Sequence, residues 1–448
     1  ATVYRPAVGV LGSTSVDLGS VREGGSFVSG ALSVKNDVVA DAYSEKMNAS
    51  IGMVTGNVVA GGAGISLLGA GQTDVTGLSV GLGGTGVAGL KSGTARVDYV
   101  TDGTGTSGLS ALGVGSETVS VSGKVYRLAV GSASGSVELA SVREGGVFAP
   151  VKLSVGNVAA GDGYSDDLGV SVVGVGDVSV SGSVGRLGAG QTDATSIGIG
   201  YAGSTAVAGL VSGSATLGYV SKGQVGSGLA DAVPVVSGGS VGVSGKVYRL
   251  AVGGVSGTTI NLGNVRVGGV VTSGGVSVTN SAAADGYSDE LGMVFGSSNG
   301  GFELSGDSSS VVAGGSRSLG IGYVGSTVSA GAKSGVLTVG LVSKGQAGTG
   351  LADVSLASAT LNVSATVYRP AVGVLGSTSV DLGNVHVGGE FVPGVIGVKN
   401  DVVADGYSER LNAVLGEVSG EVVKGGGVVS LLGAGQTDVT GLRVGLGG

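Results

Sequence analysis

The sequence predicts an all-β protein made of tandem β-sandwich repeats, and three observations carry that prediction. A set of motifs recurs with a period near 120 residues, short runs alternate apolar and polar residues, and no window sustains a helical period between caps. The tripeptide Val-Tyr-Arg sets the period. Its tyrosine falls at Tyr4, Tyr126, Tyr248 and Tyr368, at spacings of 122, 122 and 120 residues. A Val-x-x-Gly-Gly turn keeps the same register at Gly24-Gly25, Gly145-Gly146, Gly268-Gly269 and Gly388-Gly389. So does an Asp-Gly/Ala-Tyr-Ser segment at Tyr43, Tyr164, Tyr287 and Tyr407. A Gly-Ala-Gly-Gln-Thr-Asp turn recurs at Gln72, Gln191 and Gln436, whereas the third repeat carries Gly314-Gly315-Ser316-Arg317-Ser318 there.

Within the first repeat, strands are predicted near 13–21, 28–36, 47–55, 64–70, 75–82, 93–101 and 116–130. Ser15-Val16-Asp17-Leu18, Ala95-Arg96-Val97-Asp98-Tyr99 and Thr118-Val119-Ser120-Val121 alternate with period two, and Gly, Ser, Asn or Asp bound each run. Seven or eight strands in about 120 residues is the size of an immunoglobulin-like β-sandwich. A β-helix solenoid would repeat every 20–30 residues or so, and no such short period is present. The predicted domains are 1–124, 125–246, 247–366 and an incomplete fourth at 367–448.

A longer period lies above the first. Residues 1–84 align without gaps to 365–448 with 63 of 84 positions identical, an offset of three repeats. The chain therefore reads as a window of a longer array. The fourth repeat has no counterpart of 85–124 and so lacks two predicted strands. It is expected to be unstable unless continuation of the chain or a neighbouring chain supplies them.

Composition removes several classes of function. The 448 residues include 97 Gly, 12% charged and 4% aromatic residues, one His and neither Cys nor Trp. Glycine without a three-residue period is not collagen, and the many β-branched residues argue against disorder. A net charge of −8 with no basic stripe gives no footprint for nucleic acid or an anionic membrane. Residues 194–221 carry no charge over 28 positions, but Gly and Ser interrupt them every few residues, so strands and turns are predicted there.

Asn261-Leu-Gly-Asn-Val-Arg-Val-Gly-Gly269, Val276-Ser-Val-Thr-Asn280 and Asp285-Gly-Tyr-Ser288 resemble bacterial choice-of-anchor D repeat proteins. Those are similar in turn to the immunoglobulin-like domains of abnormal-spindle and hydin proteins. Gly103-Thr-Gly-Thr-Ser-Gly-Leu109 followed by Val119 to Arg127 fits the same pattern. The resemblance implies large exported surface proteins with stacked β-sandwiches, and it implies no ligand. Glu23 and Glu144, where later repeats have Val267 and Val387, depart from the pattern at a surface position.

No catalytic, cofactor-binding or metal-binding residue is predicted. The one His, His386, stands where other repeats have Arg22, Arg143 and Arg266, which suits a surface substitution better than a base or a zinc ligand. Runs such as Gly81-Leu-Gly-Gly84 fit phosphate-loop templates only loosely, with no helix predicted after them. Asp162, Asp166 and Asp167, with Asp285, Asp289 and Glu290, are read as turn residues rather than a Ca²⁺ shell, because the first repeat has Asp41, Glu45 and Lys46 there. Tyr43, Tyr164, Tyr287 and Tyr407 are expected to fill one end of each sandwich with the hydroxyl on a backbone partner. Tyr4 and its equivalents are expected at the inter-repeat joint.

The predicted function is a non-enzymatic structural repeat region of a long exported protein, extracellular or on a bacterial cell surface. It would form a fibre, sheath or stalk by self-association into a polymer, with strand pairing between chains, and with no nucleic-acid or small-molecule partner. The alternative is an adhesin that binds a surface glycan through its loops, with Ser297-Ser-Asn-Gly-Gly-Phe302 as the candidate loop.

Overall fold

The computed structural model describes every residue except 235, 237 and 448, and among the described residues every regular element is a strand. The chain divides into two compact units. The first comprises Ala1–Ala140, Val147–Ser204 and Leu210–Lys246; the second comprises Ser141–Gly146, Thr205–Gly209 and Val247–Gly448.

The first sandwich shows the plan. Its strands are β1 (Gly9–Leu11), β2 (Ser15–Arg22), β3 (Gly30–Ala31), β4 (Val34–Asn36), β5 (Lys46–Val54) and β6 (Val58–Gly61). They continue as β7 (Ile65–Leu68), β8 (Thr73–Asp74), β9 (Ser79–Leu82), β10 (Gly89–Asp102) and β11 (Leu112–Tyr126). One layer is β1-β4-β8 continued as β3-β9-β6, and the other is β2-β11-β10-β5-β7. All pairings are antiparallel except β2 with β11, which is parallel. Two packed layers in this order make an immunoglobulin-like sandwich. Val34, Val80, Met47, Val97 and Val121 meet between the layers in one buried cluster. With few aromatic residues, close sheet approach replaces bulk: a Cβ on Gly9 would lie 2.3 Å from the Tyr99 ring.

The second and third sandwiches repeat this order. The third, for example, sets Thr259–Arg266 parallel to Ala359–Tyr368. Residues 194–221 form parts of two strands, Thr192–Tyr201 and Gly209–Lys222.

Two short strands, β1 and β6, were not foreseen, because three or four residues are too few to show a period. β11 stops at Tyr126 rather than running to 130, because Arg127 leaves the sheet to bridge Ser165 of the next repeat.

The break between β8 and β9 has a local cause. Pairing shifts by two residues between Val34↔Asp74 and Gly30↔Val80, and Asp74 Oδ1 accepts the amides of Thr76 and Gly77 at the bulge. Asp193 and Asp438 hold the same bulge in the second and fourth sandwiches. The third repeat lacks this Asp, and its strand Ser316–Tyr323 pairs in unbroken register.

The fourth sandwich keeps one full layer, in which Gly373–Leu375, Gly394–Asn400, Thr437–Leu446 and Val422–Gly426 pair in that order. Its other layer is reduced to Leu411–Ala413 with Val429–Leu432. Residues 379–386 differ from β2 at two of eight positions, yet they form no strand. β2 is a strand because β11 pairs with it, and among the described residues 379–386 have no such neighbour.

Candidate functional site: the inter-repeat joint

The recurring chemistry of the chain gathers where one repeat meets the next. At the first joint, β11 delivers Tyr126 and Arg127 to the turn 162–166. Arg127 donates its amide to Tyr164 O at 3.0 Å, and Arg127 O accepts the Asp166 amide at 2.9 Å. Arg127 Nη1 donates to Asp162 Oδ2 at 2.7 Å and to Ser165 Oγ at 3.0 Å. The Tyr126 and Tyr164 rings lie 6.2 Å apart and tilted by 47°.

Asp162 also accepts the Tyr164 amide at 2.9 Å, which closes its turn. The Arg127 guanidinium, and after it that amide, holds the Asp162 carboxyl below its ordinary value of 3.8. Arg249 does the same to Asp285, and Arg369 to Asp405.

A second contact comes from the end of β2. Arg22 Nε donates to Asp166 Oδ2 at 2.8 Å, and its Nη2 donates to Ala230 O at 2.6 Å. Asp166 is fully buried, and Ser221 Oγ donates to the same oxygen at 2.8 Å. Its Oδ1 is buried without a protein hydrogen-bond partner, so Arg22 and Ser221 carry the compensation for the charge.

The second joint lies within the second unit and repeats this geometry. Arg143 Nε reaches Asp289 Oδ2 at 2.9 Å, Ser343 Oγ donates to that oxygen at 2.8 Å, and Tyr248 stands 6.1 Å from Tyr287. At the third joint Arg266 donates to Glu409 at 2.8 Å, and Tyr368 packs 6.5 Å from Tyr407. A half-joint stands at the first repeat, where Tyr4 faces Tyr43 and Arg5 pairs with Asp41. Glu45 there accepts from Thr101 Oγ1 at 2.6 Å and from Ser107 Oγ.

A buried asparagine braces each joint from inside the sandwich. Asn157 donates to Asp166 O at 3.1 Å and Leu187 O at 3.0 Å, and its Oδ1 accepts the Val130 amide at 3.2 Å. Asn36, Asn280 and Asn400 make the corresponding bonds.

Asp162 and Asp285 are turn residues, as predicted, but Asp166 and Asp289 are buried ion-pair partners. Tyr43, Tyr164, Tyr287 and Tyr407 do not fill the sandwich end. Tyr43 is 53% exposed, and all four pack against the tyrosine of the Val-Tyr-Arg motif, which does sit at the joint. Asn157 and the Arg22 series were missed as site residues; the recurrence in register of the asparagine in four repeats and of the arginine in three was the available signal. His386, in the Arg22 position, is exposed. Phe302 of the candidate glycan loop is buried against Tyr323 at 4.9 Å and offers no stacking face. Among the described residues no group of three or more His, Asp or Glu converges to hold an ion.

No family model matches the chain, and no curated protein matches it. Among solved structures it is similar to a Porphyromonas gingivalis W83 protein of unknown function, at 18% identity and a TM-score of 0.20, over 53% of this chain and 99% of that one. It is similar to mouse cadherin-23 EC22-24 at 13% identity and a TM-score of 0.29, over 81% of this chain and 99% of that one. The human desmocollin-1 ectodomain gives 9% identity and a TM-score of 0.31, over 98% of this chain and 73% of that one. Likenesses this distant carry no argument about activity, and the fold class rests on the chain's own sheets.

Proposed function

We propose that this chain is the structural repeat region of a long exported surface protein of the choice-of-anchor D kind, located outside the cell or on a bacterial surface. Its repeats would be 1–124, 125–246, 247–366 and 367–448, and copies would self-associate into a fibre, sheath or stalk. The observation that supports this is the joint itself. One constellation of a tyrosine pair, a partly exposed Arg–Asp pair and a Val-x-x-Gly-Gly-strand arginine on a carboxylate recurs at three successive borders, with the carboxylate buried at the first two and half-exposed as Glu409 at the third. Joints built on one plan let an array grow border by border. Electron microscopy of the purified chain tests the reading: ordered polymers without added ligand are expected, and dispersed single molecules at every concentration would overturn it.

The adhesin reading keeps one point in its favour. A cavity of about 440 Å³ in the third sandwich is lined by Thr259, Asn299, Ser334, Asn362 and Ser364 together with Gly335, Val336 and Val363, so uncharged polar groups stand beside apolar ones as a sugar would need. A glycan array against the chain and an Asn362→Leu variant separates the two readings.

A further inference from the structure

We infer that the second sandwich holds a binding site for a short-chain carboxylate, seated between the Tyr219 hydroxyl and the Ala133 amide. Such a site goes beyond the proposed assembly role and departs from the expectation of no small-molecule partner. Its chemistry is readable from the same place in the first sandwich. There Tyr99 lies beneath Gly9, and its hydroxyl donates to Glu117 Oε2 at 3.0 Å. That oxygen also accepts the Leu11 amide at 2.6 Å. A glutamate near the start of β11 thus joins a core tyrosine to the free edge of β1.

In the second sandwich the ring remains and the acid is gone. Gly131–Ala133 pairs with Val155–Asn157 as β1 does with β4, which makes Ala133 the equivalent of Leu11. Ser136 pairs in parallel with Gly242 as Ser15 does with Ser120, which makes Gly239 the equivalent of Glu117. Tyr219 lies beneath Gly131, where a Cβ would stand 2.4 Å from its ring. Two large side chains have become a methyl group and a hydrogen. A cavity of about 170 Å³ stands in their place, lined by Gly131, Ala133, Leu217, Tyr219, Gly239 and Val241.

Both donors stay. Tyr219 is 7% exposed, and among the described residues nothing accepts from its hydroxyl. Burial raises that hydroxyl above its ordinary value of 10.0, so it keeps its proton at neutral pH. The Val158 amide donates to Val130 O, and bonded pairs alternate along an antiparallel ladder. Ser132 and Gly156 are therefore the next bonded pair, and the Ala133 amide turns outward from the sheet edge as that of Leu11 does. An O–H and an N–H with no acceptor between them suit a carboxylate, the group that Glu117 places there in the first sandwich. Leu217 and Val241 offer apolar wall to a short aliphatic tail in the space that Leu11 fills in the first sandwich. The third sandwich closes the same place differently. Val255, Leu341 and Ala359 stand there packed on the core, with no hydroxyl to satisfy.

The test titrates the whole chain with sodium propionate at constant ionic strength and follows the Ala133 amide by NMR. A saturable shift is expected, with a Kd in roughly the millimolar range for so small a ligand. Propionamide, of the same shape without the charge, should bind about tenfold more weakly. Tyr219→Phe removes one donor and should weaken propionate binding about tenfold or more. Gly239→Glu should fill the site from within. A Cβ there meets nothing within 4 Å, so this variant should fold, lose propionate binding and melt at a higher temperature. Should it fail to fold, Tyr219→Phe carries the test. The inference falls if the Ala133 amide shows no saturable shift, or if propionamide binds as well as propionate. It also falls if Tyr219→Phe binds propionate as the unaltered chain does, or if folded Gly239→Glu still binds it.

Discussion

Asn280 commits its whole side chain to the backbone: its amide donates to Asp289 O and Val311 O, and its Oδ1 accepts from Val252 and Ala282. Replacing it with Ala orphans buried groups on three segments at once. Asn280→Ala should lower stability by about 2–3 kcal/mol, read as a shift of the denaturant midpoint. The Arg22 series and the Val-Tyr-Arg series make two kinds of ion pair. Asp289 is fully buried, so Arg143→Ala should cost about 3 kcal/mol, because it strands a charge away from water. Arg5→Ala, at an exposed pair, should be close to silent in the same assay. Equal effects from the two would show that burial does not decide the strength of the joint.

At the scale of the element, one aspartate decides whether a strand is broken. Asp74, Asp193 and Asp438 each accept two backbone amides at their bulges, and those amides hold each carboxyl below its ordinary value of 3.8. A depressed carboxyl contributes stability that is fully present above pH 3.8 and is lost as pH falls through the lower folded value. Acidification below pH 3.8 should therefore release the amides of Thr76, Gly77, Thr195, Ser196, Thr440 and Gly441, followed by NMR. The unbroken strand Ser316–Tyr323 has no such carboxylate and should hold its pairing over the same range. Sheet approach gives a second expectation: Gly9→Ala drives a methyl into the Tyr99 ring and should cost about 1–3 kcal/mol, seen as a lowered melting temperature.

At the scale of the molecule, three complete sandwiches and one with a single full layer share one chain. The joints are built from Arg, Tyr, Asp, Glu and Ser, and among the described residues no three carboxylates gather at one point. A chelator should leave the melting transition where it was, and a fall of many degrees would mean that a bound cation holds the joints. The repeat and its strands were legible because period-two alternation and a period of about 120 residues are properties of the chain itself. The shortest strands and the joint ion pairs were not, since Arg22 and Asp166 are 144 residues apart and only folding brings them together.

By itself the sequence determined the β class, the repeat length, the near-identity of first and fourth repeats and the missing bulge aspartate of the third. Each of these is local or periodic, and local propensity or simple alignment exposes it. Tertiary structure alone decided that Asp166 and Asp289 are buried partners, that the turn tyrosines stand outside the sandwich, and that 379–386 is not a strand. The physical reason is common to all three. Burial and strand pairing depend on what a distant segment places alongside, and residues 15–22 and 379–386, alike at six of eight positions, take different structures for that reason.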